Sequence, residues 1–194
     1  LGALLRDGRE VLGETSVGSS TSRIERVFLR PANPRPLPEA LRAIAEADAI
    51  VLGPGSLYTS VMPNLLVDQV AEAISASEAV KIYVSNVMTE PGETQGYTAQ
   101  DHLAAIFRHA GPDVVDWIIV NDAPITDGMM RKYSYEGAEP VMWDREVLES
   151  MGIQVVEAPV ASQTELVRHD PDAIAAEVMA LVASTRGAST ATCE

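Results

Sequence analysis

A chain of 194 residues with 28 acidic against 14 basic side chains, net charge −14, is long enough for one domain with a real core and too acidic to take nucleic acid as a bulk partner. Any anion it binds must be held by backbone N–H groups, hydroxyls and individually placed arginines. One cysteine, Cys193, excludes an internal disulfide framework, no apolar run approaches the ~18 residues a spanning helix needs, and no secretory pattern is present, so the expectation is a cytoplasmic protein with no membrane partner.

In chain order, Asp7-Gly8 between two short apolar runs predicts an N-terminal β-hairpin. Gly13 to Ser22 is small and polar and reads as a mobile loop, and Arg23 to Leu29 recovers strand character. Pro31, Pro34 and Pro36 make a stiff connector, and Pro38 suits the first turn of a helix striped by Leu41, Ile44 and Ala45. Ala49 to Leu52 reads as a buried parallel strand that stops on Gly53-Pro54-Gly55-Ser56. Leu66, Val67, Val70, Ala71 and Ile74 predict one amphipathic helix, and Val80 to Val84 the next strand. After a long loop to Tyr97, Thr98 caps a helix striped by Leu103, Ile106, Phe107 and Ala110 and closed by Gly111-Pro112. Val114 to Val120 is a third strand, followed by a less regular segment holding Met129, Met130 and Tyr133. Val141 to Trp143 reads as a brief strand, Asp144 as the cap of a helix to about Met151, and Gln154 to Glu157 as another strand. Pro171 to Ser184 is a helix capped by Asp170, with Ile174, Val178, Leu181 and Val182 on one face. The alternation predicts an α/β fold, a mostly parallel sheet with helices on both faces, in a single domain over residues 1–186 with a flexible tail over 187–194.

Right-handed connections bring the loops after the three strands, Gly53–Ser60, Asn86–Tyr97 and Asn121–Pro124, to one edge of that sheet. In the first, two glycines let backbone approach an anion while Ser56, Thr59 and Ser60 add hydroxyls. From these residues alone it is either an anion cradle or a plain strand-to-helix turn. The second is longer than a strand-to-helix connection needs, and Asn86, Thr89, Glu93, Thr94 and Tyr97 suit sugar hydroxyls or a nucleotide. Arg168, beside the last helix start, either adds to an anion site or is a surface arginine, and His169 reads as satisfied or exposed. His102, His109 and His169 lack ligand spacing, so no metal site is expected. Ser56 has no identifiable base and no Gly-x-Ser-x-Gly elbow, so no catalytic residues are assigned. Trp117, Trp143, Met88, Met129 and Met130 read as packing residues.

Four stretches together carry a resemblance: Ala49 through Val67, Lys81 through Thr98, Lys132-Tyr133 with Glu136-Gly137 and Pro140-Val141, and Arg168 to Asp170. They are similar to the YvcK-type gluconeogenesis factors, in the wider superfamily of the 2-phospho-L-lactate transferase CofD. The resemblance implies a Rossmann-like fold in a cytoplasmic bacterial protein that binds nucleotide-sugars of the UDP-N-acetylglucosamine kind. It also implies a link to gluconeogenic growth, cell shape and cell-wall precursor supply, with no established catalysis and no required cofactor. It assigns ligand contacts to Tyr133 and Arg168, beside a cleft lined by Gly53, Pro54, Gly55, Ser56, Tyr58, Thr59 and Ser60, with Asn86, Thr94 and Tyr97 from the second loop.

Members of that family carry an N-terminal Gly-rich phosphate-binding unit that nothing here matches, so Leu1 is expected to fall inside a longer protein. The leading reading is a non-catalytic regulator whose partner is the nucleotide-sugar, with a homodimer left open. The alternative is a CofD-like phospholactate-type transferase using Mg²⁺, for which Glu90, Glu93, Asp101 and Asp122 are the available carboxylates. An interaction-only scaffold is the third.

Overall fold

The structure, a computed structural model, describes residues 1–190, with side chains described through Thr185. Cys193 and the end of the expected tail lie outside the described residues. Gly2–Leu5 (β1) and Glu10–Leu12 (β2) pair antiparallel about Asp7-Gly8, and Ile24–Phe28 (β3) joins the other edge of β1. Between them Glu14–Gly18 forms a single helical turn (α1), where a loop was expected. Val17, the one large apolar residue among small polar ones, is fully buried and anchors it.

Pro38–Glu46 (α2) begins on its proline as read from the sequence. Ala49–Leu52 (β4) then opens the main sheet. A π-helical turn at Leu57–Val61 runs into Met62–Leu65 (α3), and Val70–Ala76 (α4) follows. The single helix expected across Leu66 to Ile74 is therefore broken. Gln69 takes a left-handed φ of 64°, while apolar side chains before and after it still reach one core, so the periodicity survives a break that it cannot reveal. Val80–Val84 (β5), Ala99–Ala110 (α5), Trp117–Asn121 (β6), Asp127–Ser134 (α6), Arg145–Ser150 (α7) and Gln154–Ala158 (β7) complete the alternation. A hairpin of Ala161–Gln163 (β8) and Val167–His169 (β9) precedes the long helix Pro171–Thr190 (α8), which runs past its expected end at Ser184. Thr98 and Asp101 form a reciprocal capping box on α5, and Asp144 accepts from the Val147 N–H on α7.

The third strand starts later than expected, since Pro112–Val114 makes a single 3₁₀ turn first. Val141 to Trp143 is not a strand. Pro140 there forms one isolated bridge with Met88, and Val141 N–H donates to the Val87 carbonyl at 2.9 Å. Proline next to an exposed Met142 leaves no run long enough for a ladder. The segment with Met129, Met130 and Tyr133 is helical, as α6.

The sheet runs β4-β5-β6-β7, all parallel. The chain steps across it in one direction, so right-handed crossovers put α4, α5 and α7 on a single face, while α6 sits at the carboxyl edge against Val87, Met88 and Val167. On that single face Tyr83, Ile118 and Val120 meet Ile74, Leu103, Ile106 and Leu148, together with Leu5, Ile24 and Val27 of the antiparallel sheet. The alternate positions Ile82, Val84 and Ile119 face the other way and are covered by Ile174 and Leu181 of α8. Both faces being covered explains why β5 and β6 read as continuous apolar runs, whereas β4, at the edge of the sheet, is not the buried strand its apolar run predicts: Val51 is 39% exposed and only Leu52 is buried.

Candidate functional site

At the carboxyl edge of this sheet, the ends of β4 and β5, the end of α6 and the β8–β9 hairpin enclose a cleft of about 660 Å³. Its first wall is Pro54, Gly55, Ser56 and Ser60. Gly53, at φ 85°, makes that wall possible: a Cβ there would stand 3.2 Å from the Val84 carbonyl oxygen, so only glycine lets the chain leave β4 this close to β5. The Ser56 carbonyl accepts from Ser60 and Val61 N–H at 2.9 and 3.0 Å, closing the loop on itself. Among the described residues, no hydrogen bond uses the Gly55 or Ser56 amide, or the Ser56 and Ser60 hydroxyls.

A buried carboxylate beneath fixes this wall. Glu93, 6% exposed, accepts from Tyr58 N–H at 3.0 Å and from the Thr59 hydroxyl at 2.6 Å. Burial raises its pKa above the ordinary 4.5, and the bonds from Thr59 and Tyr58 only partly offset this. Glu93 thereby ties the loop after β5 to the loop after β4.

The floor is the segment after β5. Its polar residues are not polar because they are wet: Ser85, Asn86, Thr89, Glu93 and Thr94 are all buried. The Asn86 Nδ2 donates to Glu90 at 3.2 Å, which turns Oδ1 the other way, and that buried oxygen has no partner. Thr89 holds Glu139 through two bonds, donating its N–H to the Glu139 carbonyl at 2.7 Å and accepting the Glu139 N–H on its hydroxyl at 3.0 Å.

The opposite wall comes from α6 and β9. The Tyr133 hydroxyl accepts the Val167 N–H at 3.0 Å and donates to the Val167 carbonyl at 3.3 Å, so it pins β9 and leaves its ring, not its oxygen, for a ligand. Next along β9 is Arg168, exposed on the cleft and, among the described residues, without a side-chain hydrogen bond or ion pair. His169 donates from Nε2 to the Ser85 carbonyl at 3.0 Å, a satisfied histidine whose pKa burial lowers.

Of the residues read from the sequence, Pro54, Gly55, Ser56, Ser60, Asn86, Tyr133 and Arg168 come together on the cleft. Gly53 lies behind the wall as its hinge. Four others are directed elsewhere. Tyr58 is fully buried, with its hydroxyl 2.9 Å from that of Tyr97. Tyr97 lies under Arg23, whose guanidinium sits 4.5 Å from the ring centroid. The Thr59 hydroxyl is spent on Glu93, and Thr94, fully buried, accepts the Glu90 N–H at 2.9 Å to close its own turn. A pattern of donors within a loop does not disclose which of them the loop uses on itself. Thr89, which the sequence offered among the second loop's donors, does line the cleft, as does Glu136, to which the sequence assigned no contact, while Glu93 supports the cleft from behind. The third loop, Asn121 to Pro124, borders an adjoining cavity of about 570 Å³ that shares Asn86 and Val87. There Asn121 is already engaged, through Ala123, Ala161 and Trp143.

Residues 1–161 match the family model of the 2-phospho-L-lactate transferase CofD. The chain belongs to the CofD family. This CofD-family chain is 47% identical over 176 residues to a gluconeogenesis factor of Halalkalibacterium halodurans, covering 90% of this chain and 55% of that protein. It is 44% identical over 183 residues to the gluconeogenesis factor of Bacillus subtilis, covering 94% and 58%. A crystal structure of a UPF0052-family protein from Bacillus halodurans superposes with a TM-score of 0.89 at 45% identity, over 92% of this chain and 57% of that one. The CofD-family chain thus spans a little over half the length of these relatives. No helix among its described residues is long and apolar enough to cross a membrane.

Proposed function

We propose that this chain supplies one side of a nucleotide-sugar cleft in a non-catalytic cytoplasmic regulator of gluconeogenic growth, with UDP-N-acetylglucosamine as the type of ligand. The observation that carries the reading is the convergence, on one cleft, of the unengaged Gly55 and Ser56 amides, the Ser56 and Ser60 hydroxyls and the unpaired Arg168. In a chain of net charge −14, such a grouping suits a diphosphate. Tyr133 offers a ring face to the sugar or base, and the unmatched Asn86 oxygen is an acceptor beside it. The name shared by the relatives supports the gluconeogenic role, and we extend it to cell shape and cell-wall precursor supply. Calorimetric titration with UDP-N-acetylglucosamine tests it: saturable binding that Arg168→Ala weakens about tenfold or more is expected. Absence of binding, or binding indifferent to Arg168→Ala, overturns it.

The family match favours a second reading, a transferase. Glu90 and Glu136 are the cleft carboxylates that could hold Mg²⁺ together with ligand phosphates. Transfer of a nucleotide-activated phospho-acid to a deazaflavin acceptor, above the rate without protein, would favour it over the regulator.

A further inference from the structure

Three arginines distant in sequence meet at one recess that shares no residue with the cleft above. The β1–β2 turn brings Arg6, and its backbone N–H donates to the Arg23 carbonyl at 2.9 Å, setting the two arginines side by side. Arg108 reaches the same recess from α5. There α5 presents Ala104 and Ala105, whose small side chains leave a hollow of about 390 Å³ floored by Tyr97.

The guanidiniums are poorly used by the protein itself. Among the described residues Arg6 has no side-chain partner. Arg108 makes one bond of 3.3 Å, to the Glu25 carbonyl. Arg23 makes one of 3.4 Å to the Tyr97 hydroxyl and stands 3.8 Å from Asp101, beyond hydrogen-bonding distance. Asp101 thus forms one long, half-exposed ion pair with Arg23 through Oδ1, while its Oδ2 accepts from both the N–H and the hydroxyl of Thr98 at 2.9 Å. With Glu25 as the other carboxylate on the rim, the recess is locally cationic in a strongly acidic chain. Stacking on Tyr97 holds Arg23 with its fork of donors ready for a planar or tetrahedral anion.

We propose that Arg6, Arg23 and Arg108 form a second anion site, one that takes the phosphate group of a small phosphorylated molecule. Guanidinium forks match phosphate oxygens in geometry, and the hollow is larger than a phosphate alone requires, leaving space for a short organic body. The site stands independently of the nucleotide-sugar reading, because none of its residues lines that cleft.

The test is an amide ¹H–¹⁵N titration of the protein with glycerol 3-phosphate, with glycerol and sodium chloride at matched ionic strength as controls. Saturable shifts at Arg6, Arg23, Ala104 and Arg108 are expected with the phosphate ester and with neither control. The Arg6→Gln, Arg108→Gln double variant should bind at least about tenfold more weakly. Arg6→Gln alone, which removes no side-chain hydrogen bond or ion pair among the described residues, should weaken binding in the same direction. Absence of saturable shifts, the same shifts with chloride, or an affinity unchanged in Arg6→Gln would overturn the proposal.

Discussion

Removing the Glu93 carboxylate is the sharpest test of how the cleft is held. In Glu93→Ala two donors lose their acceptor: the Tyr58 N–H, at 3.0 Å on a fully buried residue, and the Thr59 hydroxyl, at 2.6 Å on a partly buried one. The hydroxyl can turn toward water, but the amide cannot. A stranded buried N–H costs about 1–3 kcal/mol, and the void left by the side chain adds about 1 kcal/mol, for a total of roughly 2–4 kcal/mol. In a domain of this size that lowers Tm by about 5–15 °C. Glu93→Gln keeps an acceptor for Tyr58 and can donate to a rotated Thr59 hydroxyl, so its loss should stay below about 1 kcal/mol. The pH dependence separates them further. Burial raises the folded-state pKa of Glu93 above 4.5, so its contribution to stability is present below pH 4.5 and is lost as pH rises through the folded value. Glu93→Gln should therefore gain on the wild type as pH rises from 4.5. Urea unfolding followed by circular dichroism at several pH values measures both effects. A Glu93→Ala loss under about 1 kcal/mol, or a Glu93→Gln loss equal to it, would refute the reasoning.

Gly92 has φ 89°, and a Cβ there would stand 2.2 Å from the Gly18 carbonyl oxygen, so Gly92→Ala should cost about 2 kcal/mol or more in urea unfolding. Tyr133→Phe removes both bonds to Val167 but keeps the ring; it should cost about 1–2 kcal/mol and weaken UDP-N-acetylglucosamine binding severalfold by calorimetry, through loss of the hold on β9 beside Arg168. His102, fully buried with Nδ1 2.8 Å from the Tyr83 hydroxyl, has its pKa pushed down to about 4 by desolvation. Its neutral form therefore contributes stability above pH 6.5 that is lost as pH falls toward 4, by up to about 3 kcal/mol. Its ring proton resonances should stay constant from pH 8 to about 5, whereas a midpoint near 6.5 would contradict the burial argument.

The central strands were legible because both their faces are covered, so that Val80–Val84 and most of Val114–Val120 stand out as apolar runs between punctuating loops; Ala49–Leu52 reads the same way although it is an edge strand with Val51 exposed. Caps were legible too, as Thr98, Asp144 and Asp170 each act at the helix start they were assigned. The break at Gln69 was not, since the hydrophobic stripe continues through it. Nor was the helical turn at Glu14–Gly18, which depends on Val17 finding a core built from distant residues. At the site, positions whose backbone faces the sheet edge were found from strand-loop grammar and family resemblance. The hydroxyls of Tyr58, Thr59, Thr94 and Tyr97 are engaged within the scaffold, which the sequence does not disclose because a hydroxyl in a loop serves ligand and scaffold equally well. The arginine recess had no local signal at all, because Arg6, Arg23 and Arg108 meet only through the pairing of β1 with β3 and the packing of α5.

The central claim is that the loop after β4 and the arginine of β9 face one ligand. Amide ¹H–¹⁵N mapping of the protein titrated with UDP-N-acetylglucosamine tests it most directly. The account predicts saturable shifts concentrated at Gly55, Ser56, Asn86 and Arg168, with the Arg6 and Arg108 amides unmoved. Shifts confined to other surfaces, or none at saturating ligand, would contradict it.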